Sequence, residues 1–435
     1  MPKRSFLAQE PTCSPIAPTP APAVQEIELS IVMPCLNEAE TILACITKAR
    51  NFLARSGVSG EIVIGDNGSN DGSQDIARAC GARVVDIPTR GYGAALSGAM
   101  QAARGQYIIM GDCDCSYDFE ALDGFLDKLR TGCELVMGDR FAGGISPGAM
   151  PWKNRYIGNP ILSGVGRLFF NSPIRDFHCG LRGLSKQAFL AMDLRTTGME
   201  FASEMVIKAT LFGMRVGEVP TTLAVDGRSR PPHLRPFRDG WRHLRFMLLF
   251  NQNLLFLYPG LLLLSLGLAG GAALSAGPAT IFGLRFSLDT LVYCSAMIAV
   301  GAQAVLFAIL SRNYAVQEGL MPPLQRDRLL LSIQMEHGLV IGVLLVICGF
   351  GLANDALRTW RDAQFGLMDF ESISRVTIFS ALGLSLGSEI IFSSFLLSTI
   401  RLSVAANSTS ASSRGLSALG GKALGGKTLG EDASK

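Results

Sequence analysis

Asp112 and Asp114 stand one residue apart, directly after the uncharged run Tyr107-Ile108-Ile109-Met110-Gly111. Two carboxylates at that spacing can grip a hard divalent cation and leave coordination positions open for phosphate oxygens. Such a cation neutralises charge on a departing diphosphate. An acidic pair also arises by chance in Asp-rich turns; its place at the end of an apolar strand favours the cation. Cys113 and Cys115 flank Asp114, but no further ligand at finger-like spacing accompanies them, and the ten cysteines contain no CxxC pair. Free thiols are therefore expected rather than zinc.

Further groups recur at predicted strand ends. Asp66-Asn67-Gly68-Ser69-Asn70-Asp71-Gly72 offers acid and amide groups to a nucleoside, with glycines for a tight turn. A plain strand–helix connection with Asp71 as helix cap fits the same residues equally. Pro34-Cys35-Leu36-Asn37-Glu38 reads either as part of the same site or as a helix start with Glu38 near the positive end of the dipole. Gly91-x-Gly93 opens a helix and allows backbone to approach phosphate, but lacks the third glycine of a dinucleotide fingerprint. Arg140, Arg175 and Arg182 suit bidentate phosphate contact, though each alone also fits a structural ion pair. His178 reads as a structural histidine. Glu200, Glu204 and Lys208 share a helical face, where Glu204–Lys208 fits an i,i+4 salt bridge.

These residues need a scaffold. From Ile27 onward, short apolar runs alternate with helical spacing: strands at 28–33, 61–65, 82–87 and 107–110, helices at 39–55, 71–80 and 94–103. That alternation predicts an α/β fold with a doubly wound, mainly parallel sheet covered on both faces. Ligands bind such sheets beyond the carboxyl ends of the strands, where Asp66 and Asp112 fall. Residues 1–26, rich in proline, are expected to be a disordered leader before a catalytic domain at 27–232.

Hydrophobic residues make up 48% of the 435 residues and charged ones only 17%. The excess lies after Asn253, in four stretches: Leu254–Leu274, Leu291–Leu310, Gly338–Ala353 and Val376–Ile400. Roughly 20 apolar residues cross a bilayer, so four spans are predicted within 253–403, the third near the lower length limit. Arg228, Arg230, Arg235, Arg238, Arg242 and Arg245 precede the first span and place the head on the cytoplasmic side. An even number of spans returns a Gly- and Lys-rich tail, 404–435, expected to be flexible, to the same side. Within 233–252, Phe237, Trp241, Leu244 and Leu248 line one helical face and Arg238, Arg242 and Arg245 a neighbouring one, which predicts an amphipathic helix in the membrane interface. A net charge of +3 gives no argument for nucleic acid as a partner.

PCLNE, the DNGSNDGS turn and DCD, in this order and spacing, resemble family 2 glycosyltransferases of the GT-A fold. MGDRFAGG, PGAMPWKNRYIGNP, DFHCGLRG, TGMEFASEM and DGRSRPPHLRPFRDGWRHLRF are similar to the bacterial branch akin to dolichyl-phosphate mannose and glucose synthases. The resemblance covers about residues 28–250. It implies a nucleotide-sugar donor, with Pro34, Asn37, Glu38, Asp66 and Gly68 on its nucleoside side and Arg140 facing phosphate. Asp112 and Asp114 would hold Mg²⁺ or Mn²⁺ with the donor diphosphate. Arg182, Arg228, Ser229 and Arg230 would meet the acceptor phosphate, and Asp114, Arg182 and Glu204 would be catalytic. Two departures stand out. Ser116 replaces the glutamine that many synthases place after the acidic motif, leaving a third metal ligand to water or Asp118, and the flanking cysteines make the site oxidation-sensitive. The QxxRW motif of processive synthases is absent, which argues for one sugar per acceptor.

The expected reaction is inverting transfer of a hexose, from a UDP-glucose or GDP-mannose type donor, to a membrane-bound polyprenyl phosphate. Competing expectations are transfer to another lipid or lipid-linked glycan, and a nucleotide-sugar-binding membrane protein without catalysis. A homo-oligomer is compatible with either. A transporter is disfavoured, because Glu389 and Glu336 are nearly the only charges in the spans.

Overall fold

The computed structural model describes residues 26–229, 236–323, 335–366 and 370–420. Almost the whole expected leader lies outside these residues. The head is built on a seven-stranded sheet of β1 (Leu29–Cys35), β2 (Gly60–Asp66), β3 (Arg83–Asp86), β4 (Tyr107–Met110), β5 (Leu135–Asp139), β6 (Arg182–Ser185) and β7 (Val216–Pro220). Its order is β3-β2-β1-β4-β6-β5-β7. β1 pairs in parallel with β2 and β4, β2 with β3, and β5 with β7, whereas β6 runs antiparallel between β4 and β5. The predicted doubly wound, mainly parallel sheet is therefore present, with one reversed strand inserted near its middle.

Central strands covered on both faces read as continuous apolar runs. Successive side chains still point to opposite faces. Ile31 and Met33 enter one core with Ile42, Ile46 and Phe52 of α1 (Ile42–Ser56), while Val32 enters the other with Leu96 and Met100 of α3 (Tyr92–Ala102). α1 buries Ile42, Cys45, Ile46, Ala49 and Phe52, one stripe at helical spacing. Between α1 and α3 lies α2 (Ser73–Ala79). The second half of the head carries α4 (Asp123–Arg130), α5 (Arg140–Gly143), α6 (Asn159–Phe170), α7 (Lys186–Met192) and α8 (Phe201–Leu211).

α9 (Pro236–Leu249) is the helix expected between head and membrane. It packs against the head through Met247 and His243, both buried, with Phe246 and Phe250 against the same core. The anchoring face is thus not the predicted apolar stripe. Of that stripe, Trp241 is 59% exposed and Leu244 and Leu248 are half-buried; Arg242 and Arg245 are exposed.

Four helices long and apolar enough to cross a membrane follow: Asn253–Ser275, Leu288–Gln317, Met335–Asp362 and Ile373–Ile400. A short hairpin, β8 (Ala279–Ile281) with β9 (Leu284–Phe286), joins the first two. Small residues let neighbouring helices approach closely. A Cβ on Gly301 would lie 2.6 Å from the Leu264 nitrogen, and one on Gly387 would lie 2.6 Å from the Gly342 carbonyl oxygen. The last helix continues to Gly420, so residues 404–420 of the expected flexible tail extend it, and 421–435 lie outside the described residues.

Candidate active site

β1, β2 and β4 run side by side and in parallel, so their carboxyl ends emerge together. Glu38 follows β1, Asp66 ends β2 and Asp112 follows β4, which brings three distant sequence segments to one edge. Hydrogen bonds between the turns fix them. Ser69 accepts from Asn37 N (2.9 Å), Ser73 accepts from Glu38 N (2.8 Å), and Asn37 Oδ1 accepts from Asn70 N (2.8 Å). Asn37 takes φ of 58°, a left-handed conformation asparagine tolerates better than most residues. Asn67 is buried; its amide bonds the Ile87 and Thr89 carbonyls and its oxygen accepts from Gly91 N, so it holds the turn together.

Asp66 Oδ2 accepts from Gly68 N, Ser69 N and Gln74 Nε2 at 2.9, 3.0 and 2.6 Å. Burial alone would raise this carboxyl, but those hydrogen bonds outweigh it and hold it below the usual carboxylate range. Its Oδ1 is buried and has no hydrogen-bond partner among the described residues. An orphaned, ionised acceptor of this kind costs free energy unless a donor arrives from outside.

The acidic pair has a distinct surrounding. Asp114 Oδ1 accepts from Ser116 Oγ (2.5 Å) and Ser116 N (3.0 Å), and its Oδ2 accepts from Arg228 Nη2 at 2.6 Å. Arg228 Nε also lies 3.1 Å from Glu38 Oε2. Burial, then the charge of Asp114, push the Asp112 carboxyl up to about 6, against the hydrogen bond from Tyr92 and the charges of Arg228 and Arg182. Asp112 and Asp114 thus bring two like charges to one turn, an arrangement that suits a cation. Asp112 also sits tightly: a Cβ on Gly180 would meet its Oδ2 at 2.5 Å, so a side chain there would displace the carboxylate.

The segment 221–229 crosses over this turn as a strap. Ala224 N and Gly227 N donate to the Ser116 and Asp114 carbonyls, each at 2.9 Å, and Ser229 donates to Glu40 through N (2.7 Å) and Oγ (2.5 Å). Arg228 and Ser229 thus stand at the acidic turn; Arg230 lies outside the described residues. Nothing in the local sequence signals Glu40, Tyr92 or Gly180 as parts of the site, since each acts through a contact distant in the chain.

Three expected site residues are placed differently. Arg140 forms a buried two-pronged ion pair with Asp176, at 2.6 and 2.8 Å, instead of facing an open phosphate site. Arg182 is fully buried and donates to the carbonyls of Cys179, Ala202 and Phe177, so it reaches Asp112 through its field rather than by contact. Glu204 accepts from Thr196 Oγ1 (2.6 Å), Thr196 N (2.8 Å) and Arg195 N (3.1 Å) and pairs with Lys208 at 2.8 Å. It braces the loop whose carbonyls crowd Gly91 and Gly93: a Cβ on Gly93 would lie 2.6 Å from the Thr196 oxygen. Those glycines therefore serve close packing, not approach to phosphate. Asp118, a possible third metal ligand, is half exposed and pairs with Lys48 at 3.5 Å.

No group of three or more His, Cys, Asp or Glu side chains able to hold a metal occurs among the described residues. The hard oxygen pair Asp112 and Asp114 nonetheless fits Mg²⁺ or Mn²⁺ when ligand phosphates and water complete the shell, the usual state of Mg²⁺ beside nucleotides.

Residues 30–191 match the model described as Glycosyl transferase family 2, and residues 309–401 match that of the Glycosyltransferase family 2 C-terminal transmembrane region. The low-salt glycan biosynthesis hexosyltransferase Agl6 of Haloferax volcanii is 34% identical over 386 residues, which cover 88% of this chain and 89% of that relative. The dolichyl-phosphate hexose transferase of the same organism is 31% identical over 217 residues, 49% of this chain and 89% of the relative. A solved structure of glucosyl-3-phosphoglycerate synthase from Mycobacterium tuberculosis, in complex with Mn²⁺, uridine diphosphate and glucosyl-3-phosphoglycerate, is similar at TM-score 0.41 and 21% identity, over 52% of this chain and 80% of that one. With its sheet, its acidic turn and its apolar helices, this chain belongs to glycosyltransferase family 2 and is an integral membrane protein.

Proposed function

We propose that the chain transfers a hexose, with inversion, from a UDP-glucose or GDP-mannose type donor to a polyprenyl phosphate at the cytoplasmic face of the membrane. The observation that carries this reading is the juxtaposition of the Asp112 and Asp114 carboxylates at the carboxyl end of β4, beside the strap that presents Arg228. Support for a lipid phosphate acceptor comes from the spans and from the similarity to a dolichyl-phosphate hexose transferase. The arginines preceding the first span favour the cytoplasmic face.

In this scheme the unpartnered Asp66 Oδ1 accepts an N–H from the nucleobase, while Asn37, Glu38 and Gly68 shape the nucleoside side of the cleft. Asp112 and Asp114 would hold the divalent cation, which when bound neutralises the leaving diphosphate. Arg228 and Ser229 meet the acceptor phosphate, and Arg230 is assigned to the same role. A phosphate oxygen then attacks the anomeric carbon as the bond to the diphosphate oxygen breaks. A phosphate is already largely ionised near neutral pH, so no strong general base is required. Glu204 and Arg182 act as positioning residues behind the cleft, and so does Arg140.

Folded Asp112 keeps its proton to about pH 6, whereas an unfolded aspartate releases it near pH 3.9. Between those values the folded chain binds more protons, so without a cation its stability falls as pH rises through the window. Cation binding has the opposite slope, because it needs the ionised carboxylate. Mn²⁺ affinity, followed by electron paramagnetic resonance with nucleoside diphosphate present, is expected to weaken roughly tenfold from pH 7 to pH 5, about fivefold of it below pH 6, and to level above pH 7. A flat profile would remove Asp112 from the cation site.

Arg228 is expected to act on the acceptor. Arg228→Ala should raise the KM for polyprenyl phosphate by about 10- to 100-fold, the worth of one charge-assisted hydrogen bond to phosphate. The donor KM should move much less. An unchanged acceptor KM would assign Arg228 to the donor side or to the strap alone.

A further inference from the structure

Cys45 and Cys115 have no part in the mechanism above. Cys45 is on the core-facing stripe of α1 and only 1% exposed. Cys115 is half-buried in the turn after Asp114, at φ of 65°. Their sulfur atoms are 3.7 Å apart, and the Cys115 sulfur lies equally close, 3.7 Å, to the Thr41 carbonyl oxygen just before α1. The other thiols near the acidic turn are engaged differently. Cys113, 2% exposed, donates to the Pro34 carbonyl at 2.8 Å, and Cys35 lies against Ser69 Oγ at 3.6 Å. All nine described cysteines are free thiols.

We propose that Cys45 and Cys115 are an oxidative modification site: a peroxide converts them to a disulfide, and that bond distorts the cation-binding turn. Cys115, the more accessible thiol, reacts first. Its sulfur takes one peroxide oxygen as the O–O bond breaks, giving a sulfenic acid and one water. The Cys45 sulfur then attacks the sulfenic sulfur, the S–O bond breaks, and the hydroxyl leaves with the thiol proton as a second water. Two thiols are oxidised by two electrons and the peroxide is reduced to two waters, so the step balances.

A disulfide holds its sulfurs at about 2.05 Å, so the pair must close by roughly 1.7 Å. Cys45 is fixed in a packed helix, and the movement falls on the turn that carries Cys115. Asp114 is its immediate neighbour and contacts Ser116 and Arg228. Misplacing reacting groups by about 1 Å can cost on the order of 100-fold in rate. In a reducing compartment such a bond is transient, which suits reversible control.

The effect on sugar transfer rests on the function proposed above; the disulfide itself does not. The test uses the full chain in detergent micelles, treated with hydrogen peroxide, alkylated, digested and analysed by mass spectrometry. A linked peptide joining Cys45 to Cys115 is expected. Mn²⁺ affinity should fall and sugar transfer should drop about 10- to 100-fold, both restored by dithiothreitol. Cys45→Ala should bind Mn²⁺ normally before treatment and show no dithiothreitol-reversible loss after it; Cys45→Ser serves the same purpose if alanine disturbs the core. Both thiols remaining open to alkylation, or a Cys35–Cys113 link in their place, overturns the pair. A Cys45–Cys115 link that leaves Mn²⁺ affinity unchanged overturns the distortion. Failure of the transferase reading would show instead as absent transfer before any peroxide is added, with the link still detectable.

Discussion

Asp114→Asn is expected to lower sugar transfer by about 1,000-fold while the protein still folds. The substitution keeps the side chain's shape but removes the charge that pairs with Arg228 and would hold the cation. Cation stabilisation of a leaving group is worth several kcal/mol, and about 4 kcal/mol corresponds to roughly three orders of magnitude in rate. The fold should be largely unaffected, because Asn Oδ1 can still accept from Ser116 N and Oγ. Loss of one negative charge also relieves Asp112, whose carboxyl then titrates lower, towards its ordinary range. Steady-state rates and thermal melting of the same preparation check both halves. Turnover within about threefold of the parent chain would leave the acidic turn without a role in leaving-group departure.

The second large effect concerns stability. Lys208→Met should destabilise the head by about 3–5 kcal/mol, because it leaves the Glu204 charge buried without its partner. Both side chains are essentially inaccessible, 0% and 1% exposed, and Lys208 also donates to the Asp193 carbonyl at 2.7 Å. The double variant Lys208→Met with Glu204→Gln should lose clearly less than the sum of the two single changes, since no unpaired charge remains. Melting of the solubilised protein reports this directly. If Glu204 took part in chemistry as first expected, Glu204→Gln would instead abolish turnover with an unchanged melting temperature.

The parts of the fold visible in the sequence are those with local signals. β1, β2 and β4 are apolar runs punctuated at their carboxyl ends by Pro34, Asp66 and Gly111, and the acidic, amide and glycine residues there announce a ligand edge. β6 has no such signal. Its four residues, Arg-Gly-Leu-Ser, lack an apolar pattern, and its place between β4 and β5 rests on pairing with strands far away in the chain. Arg182 is buried in it only because three carbonyls receive its guanidinium. In the same way, Arg140 reads as a phosphate ligand in the sequence, but Asp176, 36 residues on, occupies it. Arg228 and Asp114 are 114 positions apart, and only the folded strap brings them together. Arginines mark charge requirements that one-dimensional spacing cannot assign to an internal or an external partner. For α9 the helix was legible from its periodicity. The face that docks on the head was not, because His243 and Met247 are ordinary residues whose burial depends on the shape opposite them.

The most direct measurement is transfer of labelled hexose from UDP-glucose and GDP-mannose to polyprenyl phosphate by the full chain in lipid nanodiscs, with the product identified by mass. The account predicts a single hexosyl phosphoryl lipid from one of these donors, formed with Mg²⁺ or Mn²⁺ and lost with a chelator. A lipid product formed equally well in chelator, or none from either donor while the protein is folded and binds Mn²⁺, would contradict it.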